Sequence, residues 1–187
     1  RNASTACVDC PIGTAQAQNG QSHCDACAPG TFGASAGLAD CPQCPLGRFS
    51  NSSGLTVCTQ CLEGKFQGLT GQQGCDLCPV GRASSRIGVS ACPLCDTGKY
   101  GTQNGSTACA LCAAAQYQDQ PGQSACKPCE LGQANANTGQ PTCPGCAPST
   151  FSNRTGALQC TPCPPGSAQS QSGQSACTAC GLGRFNG

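Results

Sequence analysis

The chain has 187 residues and a formal net charge of +1, and only 9% of its residues are charged. Without a concentrated basic surface, neither nucleic-acid binding nor electrostatic attachment to a membrane is predicted. No apolar run approaches the ~20 residues that span a bilayer, so no membrane span is predicted in this segment. The 26 glycines and 14 prolines alone would favour disorder, but the 22 cysteines are typical of a disulfide scaffold in an oxidising, extracellular compartment.

The cysteines form CxxC pairs that recur at a constant interval. The interval equals the distance in sequence from Cys7 to Cys24, and no insertion interrupts it. We number each seventeen-residue repeat from its first cysteine, so that the second cysteine is position 4. Residues 1–187 are therefore one tandem array of eleven repeats, too small to fold singly, and the unbroken register predicts a window of a longer array. The first cysteines are Cys7, Cys24, Cys41, Cys58, Cys75, Cys92, Cys109, Cys126, Cys143, Cys160 and Cys177.

Two positions after the CxxC pair are nearly always glycine. Position 7 is glycine in nine of eleven repeats, with Ala115 and Ser149 as the exceptions, and position 14 is glycine in all ten repeats that reach it. Glycine is the usual residue where the backbone needs a positive φ. We therefore expect these glycines to lie in turns with positive φ, or where the backbone passes close to a cystine.

Position 9 carries every aromatic residue of the chain, and alanine takes its place in the other repeats. One ring per repeat predicts one small apolar contact that packs the repeat against a disulfide and the next repeat. A ligand-binding ladder of rings is the alternative. The rings are Phe32, Phe49, Phe66, Tyr100, Tyr117, Phe151 and Phe185.

Position 8 is basic in four successive repeats, which would suit an acidic polysaccharide. Acidic residues nearby in the sequence favour a mixed, solvated face instead. The four residues are Arg48, Lys65, Arg82 and Lys99.

Four Asn-x-Ser/Thr sequences lie three repeats apart, always at positions 11 to 13. Such acceptors in a secreted chain predict surface loops that carry N-glycans. Covalent N-glycans are the only non-protein groups we expect, and no cofactor is predicted. The four acceptors are Asn2, Asn51, Asn104 and Asn153.

Three kinds of chemistry use paired cysteines. The spacing C-x2-C-x13-C-x2-C is close to that of four-cysteine zinc sites, but eleven pairs leave one pair over, and His23 is the only histidine. Redox catalysis at CxxC needs a thioredoxin-like βαβ setting, which these short segments do not provide. Structural disulfides are the interpretation that we favour, so no metal site and no catalytic residue are predicted.

The disulfide pairing has more than one solution from sequence alone. The chain from position 4 to the next position 1 forms a loop through the glycine and the ring, which favours that pairing. Pairing within each CxxC, and pairing of position 1 with the next position 4, stay open as alternatives. The favoured pairs are Cys10–Cys24, Cys27–Cys41, Cys44–Cys58, Cys61–Cys75, Cys78–Cys92, Cys95–Cys109, Cys112–Cys126, Cys129–Cys143, Cys146–Cys160 and Cys163–Cys177, which leave Cys7 and Cys180 without partners.

The pattern C-x2-C-x2-G-x-[FY]-x4-G-x3-C, as in CPQCPLGRFSNSSGLTVC, resembles the ephrin-receptor-like cysteine-rich repeat and the first module of tumour-necrosis-factor-receptor cysteine-rich domains. The resemblance covers the whole chain. It implies extracellular, elongated modules in which the position-4 cysteine bonds the next position-1 cysteine. The unbroken period departs from both families, whose ligand contacts lie in loops of varied length.

The predicted fold is an array of small disulfide-rich repeats that forms an elongated, quasi-one-dimensional, solenoid-like rod with short β-pairings and little or no helix. The predicted function is structural: an extracellular filament, surface hair or matrix fibre, whose partners are copies of the same chain, head-to-tail and laterally. The alternative is the stalk or ligand-binding ectodomain of a cell-surface receptor.

Overall fold

Short β-hairpins at the junctions between repeats are the regular secondary structure of this protein. The computed structural model describes residues 6–184, which contain fourteen strands of two residues each and no helix. The strands pair in sequence order into seven antiparallel hairpins. They are β1 (Thr14–Ala15), β2 (Asp25–Ala26), β3 (Arg48–Phe49), β4 (Thr59–Gln60), β5 (Lys65–Phe66), β6 (Asp76–Leu77), β7 (Lys99–Tyr100), β8 (Ala110–Leu111), β9 (Gln116–Tyr117), β10 (Lys127–Pro128), β11 (Thr150–Phe151), β12 (Thr161–Pro162), β13 (Ser167–Ala168) and β14 (Thr178–Ala179).

The register of every hairpin is the same. Positions 8 and 9 of one repeat pair with positions 3 and 2 of the next, as Thr14 does with Ala26 and Ala15 with Asp25. Three further junctions keep this register as a single bridge: Thr31 with Gln43, Arg82 with Leu94, and Gln133 with Gly145. The predicted class of small disulfide-rich repeats with short β-pairings is confirmed, while the rod shape stays a prediction.

The described residues divide into two compact units. The first runs to Pro79 and includes Ser84–Pro93 and Asn104–Thr107; it holds β1–β6 and the disulfides up to Cys78–Cys92. The second consists of Val80–Ala83, Leu94–Gln103 and the chain from Ala108 on, with β7–β14 and the remaining disulfides. Within each unit the same arrangement recurs from repeat to repeat.

A tight turn precedes each hairpin, and it explains the glycine at position 7. The N–H of Thr14 at position 8 donates to the carbonyl of Pro11 at position 5 over 3.1 Å, which closes a four-residue turn. Gly13, the third residue of that turn, has a φ of +79°. A turn with positive φ at its third residue favours glycine. The prediction of positive φ for the glycines at positions 7 and 14 is confirmed.

Sulfur atoms, alanines and polar side chains form the interior, rather than large apolar residues. The position-4 cysteines from Cys27 to Cys146 are at most 1% exposed. Polar side chains at position 10, such as Ser50 and Gln118, are buried as well. The six described aromatic rings are only half-buried, and Phe185 lies outside the described residues. The core is therefore covalent and polar, with the rings at its margin.

Candidate functional site

Ten disulfides link consecutive repeats within residues 6–184. Each joins position 4 of one repeat to position 1 of the next, with a sequence separation of 14 and with Cα atoms 5.6–5.8 Å apart. Cys7 and Cys180 are the free cysteines of the described residues. The ten bonds are Cys10–Cys24, Cys27–Cys41, Cys44–Cys58, Cys61–Cys75, Cys78–Cys92, Cys95–Cys109, Cys112–Cys126, Cys129–Cys143, Cys146–Cys160 and Cys163–Cys177, the same pairs that the loop geometry of the sequence favours.

The zinc interpretation fails on the bonding of the sulfur atoms. Cys61 and Cys75, which belong to two successive CxxC pairs, are bonded to each other, while Cys58 and Cys78 belong to two further disulfides. Zinc binds thiolates, and a disulfide has none to offer. No group of three metal-binding side chains is found in residues 6–184. His23 is exposed and lies 3.4 Å from the Asp25 carboxylate.

Backbone hydrogen bonds connect each repeat to the next at the same positions. The Gly13 N–H at position 7 donates to the Gly33 carbonyl at position 10 of the following repeat over 2.8 Å, and the Gly13 carbonyl accepts from the Cys27 N–H over 2.9 Å. The N–H of Gly37 at position 14 donates to the Cys10 carbonyl over 2.8 Å. Equivalent bonds recur at the other repeats of each unit, so the inter-repeat joint is both covalent and hydrogen-bonded.

The position-7 glycines from Gly13 to Gly132 also touch the repeat after next. A Cβ atom placed on Gly13 would collide with the carbonyl oxygen of Gly54, which is the position-14 glycine of that later repeat. The same holds in the second unit for Gly132 and Gly173. Ala115 and Ser149, the two exceptions at position 7, keep φ values of +64° and +67°. Such a backbone costs a residue with a side chain roughly 1–2 kcal/mol.

A buried polar column at position 10 was not anticipated from the sequence. Gln118 is 2% exposed; its Nε2 donates to the Ala125 carbonyl over 2.7 Å, and its Oε1 accepts from the Gln120 N–H over 3.1 Å. Ser50 uses its hydroxyl in the same way, donating to the Ser52 carbonyl over 3.1 Å. Each such side chain holds the loop of its own repeat from inside. The signal in the sequence is that position 10 is always Gln, Ser, Asn or Gly, and never charged or bulky apolar.

The predicted N-glycan acceptors Asn51, Asn104 and Asn153 lie on exposed loops, and Asn2 lies outside the described residues. The loop that carries Asn153 is held from below by Ser152, whose hydroxyl donates to the Arg154 carbonyl over 3.0 Å. Ser50 does the same beneath Asn51. Asn51 and Asn153 are therefore exposed to solvent on loops that internal hydrogen bonds hold in place.

The basic residues at position 8 differ from one another in their surroundings. Arg48 is half-buried, and its guanidinium donates to the Cys58 carbonyl over 3.0 Å, while Lys65 is exposed. In the second unit Arg82 and Lys99 are half-buried. At least Arg48 thus stabilises a repeat junction.

One well-formed ion pair joins Lys127 to Asp119 on the surface of the second unit. The Lys127 Nζ lies 2.7 Å from an Asp119 oxygen and 5.7 Å from the centre of the Tyr117 ring. The hydrogen bond from Lys127 lowers the pKa of Asp119, and the reciprocal bond raises the pKa of Lys127. Both side chains are well exposed, so the pair is a minor stabilising contact.

These features define an extracellular-type repeat protein. Disulfides, a polar interior and inter-repeat hydrogen bonds stabilise its repeats. Residues 1–37, 47–90 and 150–187, more than half of the chain, match the family described as tyrosine-protein kinase ephrin type A/B receptor-like. The chain belongs to this family of cysteine-rich repeats. Comparison with curated protein sequences gives no match.

The family and the disulfides together indicate an extracellular or cell-surface location. The repeats of this receptor-like family are not enzymatic. Residues 6–184 contain no helix that is long and apolar enough to cross a membrane.

Proposed function

We propose that this chain is a structural component of an extracellular filament, surface hair or matrix fibre. The observation that carries the proposal is the constancy of the inter-repeat joint: the same disulfide and the same backbone hydrogen bonds recur from repeat to repeat within each unit. A joint that is identical at each step can be continued in one direction without a change of geometry.

The proposed mechanism is mechanical resistance. Each disulfide closes a loop of about 15 residues, which stabilises the folded state by about 3 kcal/mol in the chain-entropy estimate. Because these loops follow one another along the chain, tension cannot extend any loop beyond its cystine until that bond is reduced. Under load, the contacts between successive loops open first: the two-residue hairpins and the inter-repeat backbone hydrogen bonds, such as the one from the Gly13 N–H to the Gly33 carbonyl.

Copies of the same chain are the proposed partners, head-to-tail and laterally. Cys180 occupies position 4 and Cys7 occupies position 1, and both are free here. A repeat that follows Cys180 in the same register would supply a position-1 cysteine at the separation found in every other disulfide. Further residues of the same polypeptide, or Cys7 of a second copy, would meet this requirement equally well.

N-glycans at Asn51, Asn104 and Asn153 are part of the proposal, together with Asn2. Their exposed loops and the low charge of the chain support it, because sugars would shield the repeats from proteases and from lateral aggregation. Digestion of the native material with an N-glycosidase should lower its mass. An unchanged mass would remove glycans from the proposal.

A receptor stalk or ligand-binding ectodomain is the second candidate, and the family match supports it. Electron microscopy of native material distinguishes the two. A fibre should show unbranched filaments whose axial period is a whole number of sequence repeats. Discrete particles anchored at one end in a membrane would contradict the fibre and favour the stalk.

A further inference from the structure

An open cleft lies beside the β1–β2 hairpin. Its volume is about 450 Å³, within the range of sites for small ligands. Ala15, which is 8% exposed, lines it together with Ala26, Ala28 and Thr31. The cavity belongs to the first unit.

The equivalent surface two repeats later shows how the cleft arises. Beside β3–β4, in the same unit, the cavity holds only about 160 Å³. Its lining residues correspond to those of the larger cleft after a shift of two repeats. Four of them are large where the cleft has small side chains: Phe49 for Ala15, Gln60 for Ala26, Leu62 for Ala28 and Lys65 for Thr31. Small side chains at these four positions open the cleft.

The two cavities also differ in charge. Lys65 is the charged residue of the smaller cavity, whereas the larger one has the carboxylates of Asp25 and Asp40 and no Lys or Arg. Asp25 approaches His23 at 3.4 Å, and Asp40 accepts from the Cys41 N–H over 2.9 Å. Each carboxylate keeps a second oxygen with no partner among the described residues, so each can accept from a cation.

The amide side chains at the cleft are already in use. Gln16 donates to the His23 carbonyl over 3.0 Å and accepts from the Gln18 N–H over 2.9 Å, and Gln21 donates to the Gln18 side chain over 3.2 Å. These bonds fix the loop that forms one wall. The groups that we consider for ligand recognition are therefore the alanine methyl groups and the carboxylates of Asp25 and Asp40, all of which line the cleft.

We propose that this cleft binds an alkylammonium group. The methylene stem lies on Ala15, Ala26 and Ala28, and the ammonium donates to Asp25 and Asp40. Long cationic side chains lie on apolar surface in this way while their charged head reaches polar partners. The ligand is a free diamine or a lysine side chain of a protein partner, which share this chemistry. The proposal is independent of the fibre function, and either can fail without the other.

The test is an NMR titration of the whole 187-residue chain, with backbone amide shifts as the readout. Cadaverine and a lysine-containing peptide are the two cationic probes, and 1-pentanol is the uncharged probe of equal stem length. Both cations should shift the amides around Asp25 and Asp40, with a Kd on the order of 1 mM for so few contacting atoms. Tighter binding of the peptide points to a protein partner, and tighter binding of cadaverine points to a free diamine.

Variants taken from the chain's own equivalent positions locate the site. Ala28→Leu and Ala15→Phe install the residues found at 62 and 49, so the array tolerates them, and each should weaken cadaverine at least tenfold. Asp40→Asn should weaken it about threefold and leave the weak pentanol response unchanged. Leu62→Ala, at the equivalent surface of the same unit, is the matched control and should leave the affinity unchanged.

Three results would overturn the proposal. They are no shift at a cadaverine concentration about twentyfold above the expected Kd, equal binding of pentanol, and undiminished binding by both cavity-filling variants when thermal unfolding shows them folded.

Discussion

The two glycine columns of this array look alike in sequence and differ in what surrounds them. Gly13 at position 7 and Gly54 at position 14 both have positive φ, +79° and +73°. A Cβ on Gly13 would strike the Gly54 carbonyl, whereas a Cβ on Gly54 would meet nothing closer than 3.9 Å. Gly13 is constrained by a neighbouring backbone and by its turn, and Gly54 by its turn alone. Glycines that recur with the same period in the sequence can therefore be under different structural constraints.

Among the variants considered, removal of one disulfide should have the largest effect on the unfolding free energy. The double variant Cys61→Ser/Cys75→Ser should lose roughly 3–5 kcal/mol of unfolding free energy, from lost loop closure and from burial of a hydroxyl where Cys61 is 0% exposed. Denaturant unfolding followed by circular dichroism measures the loss. Cys7→Ser, which removes a free thiol, is the control, and an equal effect of both would contradict the structural role of the bond.

The matched glycine variants test the comparison directly. Gly13→Ala should cost about 3 kcal/mol, because backbone strain and collision with a carbonyl add together. Gly54→Ala should cost about 1 kcal/mol, from strain alone. Equal losses in denaturant unfolding would show that the contact with the repeat after next is irrelevant.

The buried amides of position 10 extend the test to side chains. Gln118→Ala should cost about 2 kcal/mol, because it leaves the volume of a 2%-exposed side chain empty and removes the partner of the Ala125 carbonyl and the Gln120 N–H. Asn135 accepts from the Asn137 N–H over 3.0 Å, but its Nδ2 is buried with no partner among the described residues. Asn135→Gln adds the methylene that lets the glutamines of other repeats reach a carbonyl, and it should raise stability by about 1 kcal/mol. A loss of stability in thermal unfolding would show that the column does not tolerate the longer side chain there.

The exposed ion pair should give the smallest effect. The pKa of Asp119 is lowered by its bond to Lys127, so its contribution is present above the ordinary carboxyl pKa and is lost as the pH falls through about 4 and below. The pKa of Lys127 is raised, so its contribution is lost only at strongly alkaline pH. Asp119→Asn should flatten a small part of the acid limb of a stability–pH curve and leave neutral stability nearly unchanged. A large loss at pH 7 would contradict the surface assignment.

The repeat, the absence of helix among the described residues and the positive φ of the glycines could be predicted from the sequence. A constant period with fixed cysteines leaves few loop geometries. Position 10 escaped notice because Ser, Gln and Asn in a polar chain look like surface residues. Their burial depends on neighbours in adjoining repeats. The contact of Gly13 with Gly54 was also beyond prediction, since no motif links a residue to the repeat after next.

The cleft beside β1–β2 likewise could not be predicted from the sequence. It depends on four small residues distributed from Ala15 to Thr31, none of which forms a motif. Only the equivalent set from Phe49 to Lys65 shows that these residues are small for their positions. In a repeat protein, residues at one position can be compared with those at the equivalent position of other repeats, once the structure shows which positions are equivalent.

The contact between Gly13 and Gly54 has a consequence for how such a chain is made. As the chain enters an oxidising compartment, Gly13 has its disulfide-closed loop once Cys24 has emerged, but it acquires its last backbone neighbour only with Gly54. The Cys10–Cys24 loop can therefore be oxidised about two repeats before its last packing contact exists. A mispaired cysteine in such a loop would also alter the surface on which the next two repeats pack.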